Sequence, residues 1–105
     1  MSAREENAGQ QAESWVYMMR CENGSLYTGW TNDLQARAAA HMEGRGAKYT
    51  RAFHAVGLAY ACRMQSKSEA LKREAALKRL SKAQKEALCT EWQREQADSA
   101  CNDNA

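Results

Sequence analysis

The sequence predicts an α+β domain, a three-stranded antiparallel sheet flanked by helices in the order strand, strand, helix, strand, helix, helix. Two runs rich in aromatic and branched residues flank Glu22-Asn23-Gly24, a strong hairpin signal. A separate apolar run, residues 56–64, supplies a third strand. Three polar residues, each followed three positions on by Glu or Gln, mark helix starts ahead of the remaining stretches. With these elements, a sheet covered by helices is the natural packing.

The strands run over residues 14–21 and 25–31. Asn32 with Gln35 then opens a helix, which Gly44 ends as a left-handed cap. Residues 44–51 form a basic loop or single turn. The third strand, mostly apolar, is expected to be buried on both faces. Ser66 with Glu69 and Ser81 with Gln84 start two helices, over 67–80 and 82–94. Residues 1–13 and 96–105 are polar without apolar periodicity and are expected to be disordered tails around a folded domain at 14–95.

Composition narrows the function classes. At 105 residues the chain is one domain, large enough for a tiny enzyme or a binding module. The apolar runs fall far short of the roughly 18 residues of a spanning helix, and residues 1–6 lack the apolar core of a secretory signal. No membrane association and a cytoplasmic location are therefore expected. The four cysteines, Cys21, Cys62, Cys89 and Cys101, lack short paired spacing, which fits free thiols in a reducing compartment: three apolar fillers and one tail thiol. Net charge is only +2, yet residues 34–82 hold eleven Lys/Arg against three acids. A basic body with acidic ends fits a polyanion partner, or equally a solvated surface.

Several chemistry-bearing side chains fall on apolar faces. Leu34, Arg37, Ala38 and His41 share one face of the first helix, which aims a guanidinium and an imidazole at the sheet. The alternative is an Arg37 that reaches water past Leu34 and a His41 favoured by the negative helix end. Glu74 lies in the arc of Ala70, Leu71 and Leu77, and a carboxylate there needs a cation, either Lys78 one turn on or a divalent metal ion. Tyr17 and Tyr27 are either strand tyrosines with solvated hydroxyls or a pair of phenols beside these groups. Gly29 permits close approach of a backbone or ligand to its strand.

Taken together, these residues resemble the GIY-YIG nuclease superfamily, and within it the small single-domain bacterial proteins related to the nuclease domain of the excision-repair incision subunit. The resemblance runs from Trp15 to Leu88. It rests on Tyr17-Met18-Met19-Arg20-Cys21, Gly24-Ser25-Leu26-Tyr27-Thr28-Gly29, and Asp33-Leu34 leading to Arg37 and His41. Gly46-Ala47-Lys48-Tyr49-Thr50 and Ser68-Glu69-Ala70-Leu71-Lys72-Arg73-Glu74 complete it. Two departures stand out: Trp15-Val16-Tyr17 replaces Gly-Ile-Tyr, and Trp30 stands where the repair nuclease domain tends to have a lysine.

The resemblance implies the GIY-YIG fold and a metal-dependent endonuclease that hydrolyses phosphodiester bonds, DNA being the expected substrate, in repair or recombination. It makes Glu74 the single protein ligand of one Mg²⁺ or Mn²⁺ ion. It makes Tyr27 the first choice for the base that deprotonates water, with Tyr17 a second phenol. Arg37 would hold a phosphate oxygen, His41 would orient or share the proton traffic, and Lys48 would add a phosphate contact. Arg45, Arg51, Lys72 and Arg73 extend the expected nucleic-acid surface. The competing readings are a module of the same fold that binds nucleic acid without cutting it, and an adaptor that recruits a repair protein through the last helix and Trp92. The homo-oligomeric state is left open.

Overall fold

Strand β1 (Ser14–Cys21) is the middle strand of an antiparallel sheet ordered β2-β1-β3, with β2 (Leu26–Thr31) and β3 (Ala55–Met64) on either side. The computed structural model describes residues 13–104, with side chains through residue 97. Of the tail expected at 1–13, all but Glu13 lies outside the described residues, as does the Cys101 side chain. Between the strands and after them come α1 (Leu34–Met42), α2 (Lys48–Phe53), α3 (Lys67–Lys78) and α4 (Lys82–Asn104).

Side chains alternate along a strand, so Val16 and Met18 go to one face and Tyr17 and Met19 to the other. All four are buried, which is why β1 reads as a continuous apolar run. Val16 and Met18 pack with Tyr60, Ala70, Leu77 and Cys89, under α3 and α4. Tyr17 and Met19 pack with Ala55, Tyr27, Leu34, Ala38 and Leu58, under α1. Trp92, on α4, packs against the first cluster. Its side chain is half-buried there.

The turn forms as its sequence dictates. Gly24 has φ +86°, the Cys21 N–H donates to the Ser25 carbonyl at 2.9 Å, and Asn23 Oδ1 accepts from the Ser25 N–H at 3.1 Å. That bond takes the Ser25 amide out of the ladder, and β2 begins at Leu26, one residue later than expected. In β3, register shifts between Met18/Met19 and between Arg20/Cys21 mark local irregularities against β1.

The helix ends follow local rules, with three corrections. Asp33, not Asn32, caps α1: its Oδ1 accepts from Ala36 N at 3.2 Å, while Thr31 Oγ1 fixes the Asp33 amide. At the other end Arg45 N bonds Ala40 O and Gly44 N bonds His41 O, a Schellman closure around Gly44 at φ +80°. The expected basic loop contains α2, six residues long, ended by His54 at a left-handed φ of 56°. His54 O accepts from Glu22 N at 2.9 Å, which ties this strained corner to the hairpin.

Helix α3 stops at Lys78 instead of residue 80, where Arg79 and Leu80 N–H groups bond back to Ala76 and Leu77 in a tightened last turn. Ser81 and Gln84 form the full reciprocal capping box at the start of α4. This helix continues past Arg94 to Asn104, through the stretch expected to be a tail; no Gly or Pro interrupts it. It is clamped to β1 by a two-bond contact between Arg20 and Glu86, at 2.5 and 2.6 Å. The Arg20 guanidinium, with help from Lys82, holds the Glu86 carboxyl down at about 2.

Candidate active site

Antiparallel pairing sets Tyr17 opposite Gly29 and Met19 opposite Tyr27, so both phenols occupy the α1 face of the β1/β2 ribbon. Their ring centroids are 6.4 Å apart. An added Cβ at Gly29 would come within 2.7 Å of the Tyr17 hydroxyl and 3.1 Å of the Tyr27 ring. The close approach anticipated at Gly29 is therefore made by the two phenols themselves.

His41, near the C-terminal end of α1, is 1% exposed and sits between them. Its Nε2 lies 2.7 Å from the Tyr17 hydroxyl and its Nδ1 2.7 Å from Thr50 Oγ1 in α2. Its ring is 5.1 Å from that of Tyr27. Burial, and then the Arg37 charge, push its pKa down to about 4, so the imidazole is neutral at pH 7. The loop between α1 and α2 crosses directly over the ring, since a Cβ at Gly46 would meet His41 Nδ1 at 2.2 Å.

Arg37, half-buried one turn before His41, is near enough for its charge to act on both Tyr17 and His41. Burial raises the Tyr17 pKa to about 12; Arg37 opposes the shift, and the charges of Tyr27 and Glu74 reinforce it. Glu74, on α3, is near enough for its charge to act on Tyr17. Its side chain is 18% exposed, with an oxygen 3.3 Å from Lys78 Nζ. On its helix the inward stripe is Ala70, Glu74 and Leu77; Leu71, expected in the same arc, faces outward. Tyr17, Tyr27, Arg37 and His41 are thus gathered at one place, with Glu74 within electrostatic range.

The expected nucleic-acid contacts divide. Lys48 and Arg51 are exposed on α2, next to Thr50, and Lys72 is exposed on α3. Arg45 is paired with Glu43 at 2.5 Å, and Arg73 turns in to donate to the Tyr60 hydroxyl at 3.1 Å. Trp30 packs against the other face of the sheet, with the Lys67 ammonium 5.3 Å from its ring centroid.

Sequence reasoning missed Thr50 as a distinct contributor and missed the aromatic ladder from Tyr27 to Tyr49 (6.0 Å) and on to Phe53 (4.8 Å). The spacing of Tyr49 and Phe53, four apart, could have found the second. A hollow of about 520 Å³ between the hairpin tip and α4, lined by Asn23, Leu26, Lys82 and Lys85, contains none of the expected site residues. Among the described residues no three His, Cys, Asp or Glu side chains converge as a metal cage would require. Among them, too, no helix is long and apolar enough to cross a membrane.

The GIY-YIG catalytic domain family matches residues 13–87. A UPF0213 protein of Halobacterium salinarum is 52% identical over 73 residues, covering 70% of this chain and 95% of its own. One from Staphylococcus haemolyticus is 46% identical over 74 residues, covering 70% and 90%. The solution NMR structure of a UPF0213 protein from Bacillus halodurans is 40% identical, covering 74% of this chain and 83% of its own, with a TM-score of 0.49. With the family match spanning the strands, the phenols, Arg37, His41 and Glu74, this chain belongs to the GIY-YIG family and to its small UPF0213 group.

Proposed function

We propose that the protein is a metal-dependent endonuclease that hydrolyses DNA phosphodiester bonds at the surface formed by Tyr17, Tyr27, Arg37, His41 and Glu74. The observation that carries this reading is the setting of Tyr17: its hydroxyl meets His41, and the charges of Arg37 and Glu74, from two different helices, both act on it. A phenol, a guanidinium, an imidazole and a carboxylate gathered around one strand are more than packing needs.

Glu74 suits a hard divalent cation, because its carboxylate is mostly buried yet answered by an exposed lysine that can turn away. It would hold one Mg²⁺ or Mn²⁺, which when bound supplies positive charge to the scissile phosphate and the leaving oxygen. Arg37 binds a non-bridging oxygen and stabilises the charge that builds there. Tyr27 is the better base: it is only half-buried, whereas the hydroxyl of Tyr17 is engaged and its ionisation suppressed. Tyr27 takes a proton from the attacking water as it passes its own to solvent, and solvent returns one to the leaving oxygen.

Lys48, Arg51 and Lys72 offer exposed charges to the phosphate backbone, while Arg45 and Arg73 must leave Glu43 and Tyr60 to join them. The buried free thiols of Cys21 and Cys89 fit a reducing cytosol. A role in repair or recombination, with a partner that supplies targeting, follows from the family resemblance.

A panel of labelled DNA and RNA substrates, incubated with Mg²⁺ or Mn²⁺ and with chelator beside Glu74→Ala, tests the reading. Metal-dependent cleavage of DNA that Glu74→Ala lacks is expected. Binding without cleavage of any substrate would favour the non-catalytic module instead.

A further inference from the structure

We infer that Thr50 is a positioning residue: it fixes the tautomer of His41 and so directs a chain of hydrogen bonds that ends on the Tyr17 hydroxyl, beside the Arg37 charge. The assignment comes from counting donors and acceptors. The Tyr17 hydroxyl is buried, and the partner placed to accept its hydrogen is His41 Nε2, at 2.7 Å. Nε2 must then carry no hydrogen, and the neutral ring carries its proton on Nδ1. Nδ1–H donates to Thr50 Oγ1 at 2.7 Å, and Thr50 donates onward to the Ala47 carbonyl at 3.0 Å.

The opposite polarity fails at a definite atom. If Thr50 donated to Nδ1, the Ala47 carbonyl would lose its donor, Nε2–H would point at Tyr17, and the Tyr17 hydrogen would lose its acceptor in a buried site. Orphaning a buried hydroxyl carries its full desolvation penalty, which is enough to decide between two tautomers. The Ala47 carbonyl thereby sets the direction of the chain. With the Tyr17 hydrogen committed to His41, the free lone pair of its oxygen is available to the Arg37 guanidinium. Gly46 makes this possible, since any side chain there would collide with the imidazole.

The tautomer does not depend on the proposed activity; only its consequence for cleavage rests on that reading, through Arg37. Long-range ¹H–¹⁵N correlation spectra of the whole protein at pH 7.5 report which ring nitrogen of His41 is protonated. The wild type and Thr50→Ser are expected to show Nδ1–H. Thr50→Val, which keeps the shape and removes the acceptor, is expected to shift His41 wholly or partly to Nε2–H and to lower cleavage at least tenfold with little change in KM for metal, while Thr50→Ser retains it. Nε2–H in the wild type, or an unchanged Nδ1–H in a folded Thr50→Val, overturns the inference; should Thr50→Val not fold, the wild-type spectrum decides. A protein that cuts nothing leaves the spectroscopic result intact, so the two failures are distinguishable.

Discussion

Tyr17 and His41, 24 residues apart in sequence, meet in a buried 2.7 Å contact between the phenol hydroxyl and Nε2. Burial is the main cause of the unusual ionisation of both. The imidazole is kept neutral, the phenol is kept protonated, and the second phenol, Tyr27, is left as the more accessible of the two.

This division separates two conservative substitutions. Tyr27→Phe is expected to remove most cleavage, on the order of 10²-fold or more, with little loss of stability. Tyr17→Phe leaves His41 Nε2 without a donor in a buried site and is expected to cost about 1–3 kcal/mol. Urea unfolding and cleavage rates of both variants check this; full activity in Tyr27→Phe would exclude it as the base.

The same pair bounds a plateau of stability in pH. His41 is depressed to about 4 from an unfolded value near 6.5, so the unfolded chain binds the proton first and stability declines as pH falls from about 6.5 toward 4. Tyr17 is raised to about 12 from near 10, so the unfolded chain loses its proton first and stability declines from about pH 10 upward. At pH 5, above the range where Glu86 contributes, the His41 share of the loss is about 2 kcal/mol. Urea midpoints at pH 5 and 7.5 should differ by less in His41→Asn than in the wild type; equal shifts would refute the linkage.

Gly46→Ala is expected to destabilise the fold by about 3 kcal/mol, because the new methyl would lie 2.2 Å from His41 Nδ1 and 2.9 Å from the His41 Cα, which no side-chain rotation relieves. Gly57→Ala, with nothing within 4 Å of the new atom, is the matched control and should change stability little. Thermal unfolding of the two variants measures the difference, and similar behaviour would mean the loop can lift off the imidazole.

Much of this was legible in the chain. The Asn23-Gly24 turn, the two apolar runs and the Ser66 and Ser81 caps are local signals, and local hydrogen bonds realise each of them. Arg37 and His41 share a helix face by arithmetic, and the sheet receives them. What the chain hid depends on distant partners. Nothing near Thr50 says that its hydroxyl will meet an imidazole nine residues back, and Arg20 gives no sign of Glu86, 66 residues on. Asp33 rather than Asn32 takes the cap because two adjacent residues of the same capping type differ only in how Thr31 orients them.

Lys48 and Arg51 offer a test of the nucleic-acid surface that does not involve chemistry. Removing one cation from the phosphate backbone should weaken DNA binding and flatten the slope of log K against log salt by about 0.9. The double variant Lys48→Ala/Arg51→Ala should therefore bind more weakly and with a slope smaller by about 2, measured by fluorescence anisotropy in chelator. An unchanged slope would move the DNA-binding surface away from α2.

Glu74 and Lys78 separate a structural ion pair from a metal ligand. Lys78 is 56% exposed, so removing its pairing alone should change stability by less than about 1 kcal/mol. If Glu74 serves only that pair, Lys78→Ala and Glu74→Gln should behave alike. If it holds the cation, they should diverge: Lys78→Ala removes a competing positive charge and should bind Mn²⁺ as well as or better than the wild type. Glu74→Gln should lose Mn²⁺ binding and on the order of 10²-fold in cleavage. Paramagnetic broadening of the Tyr27 and Arg37 resonances on Mn²⁺ titration reads this directly, and broadening that persists undiminished in Glu74→Gln would remove the carboxylate from the metal site.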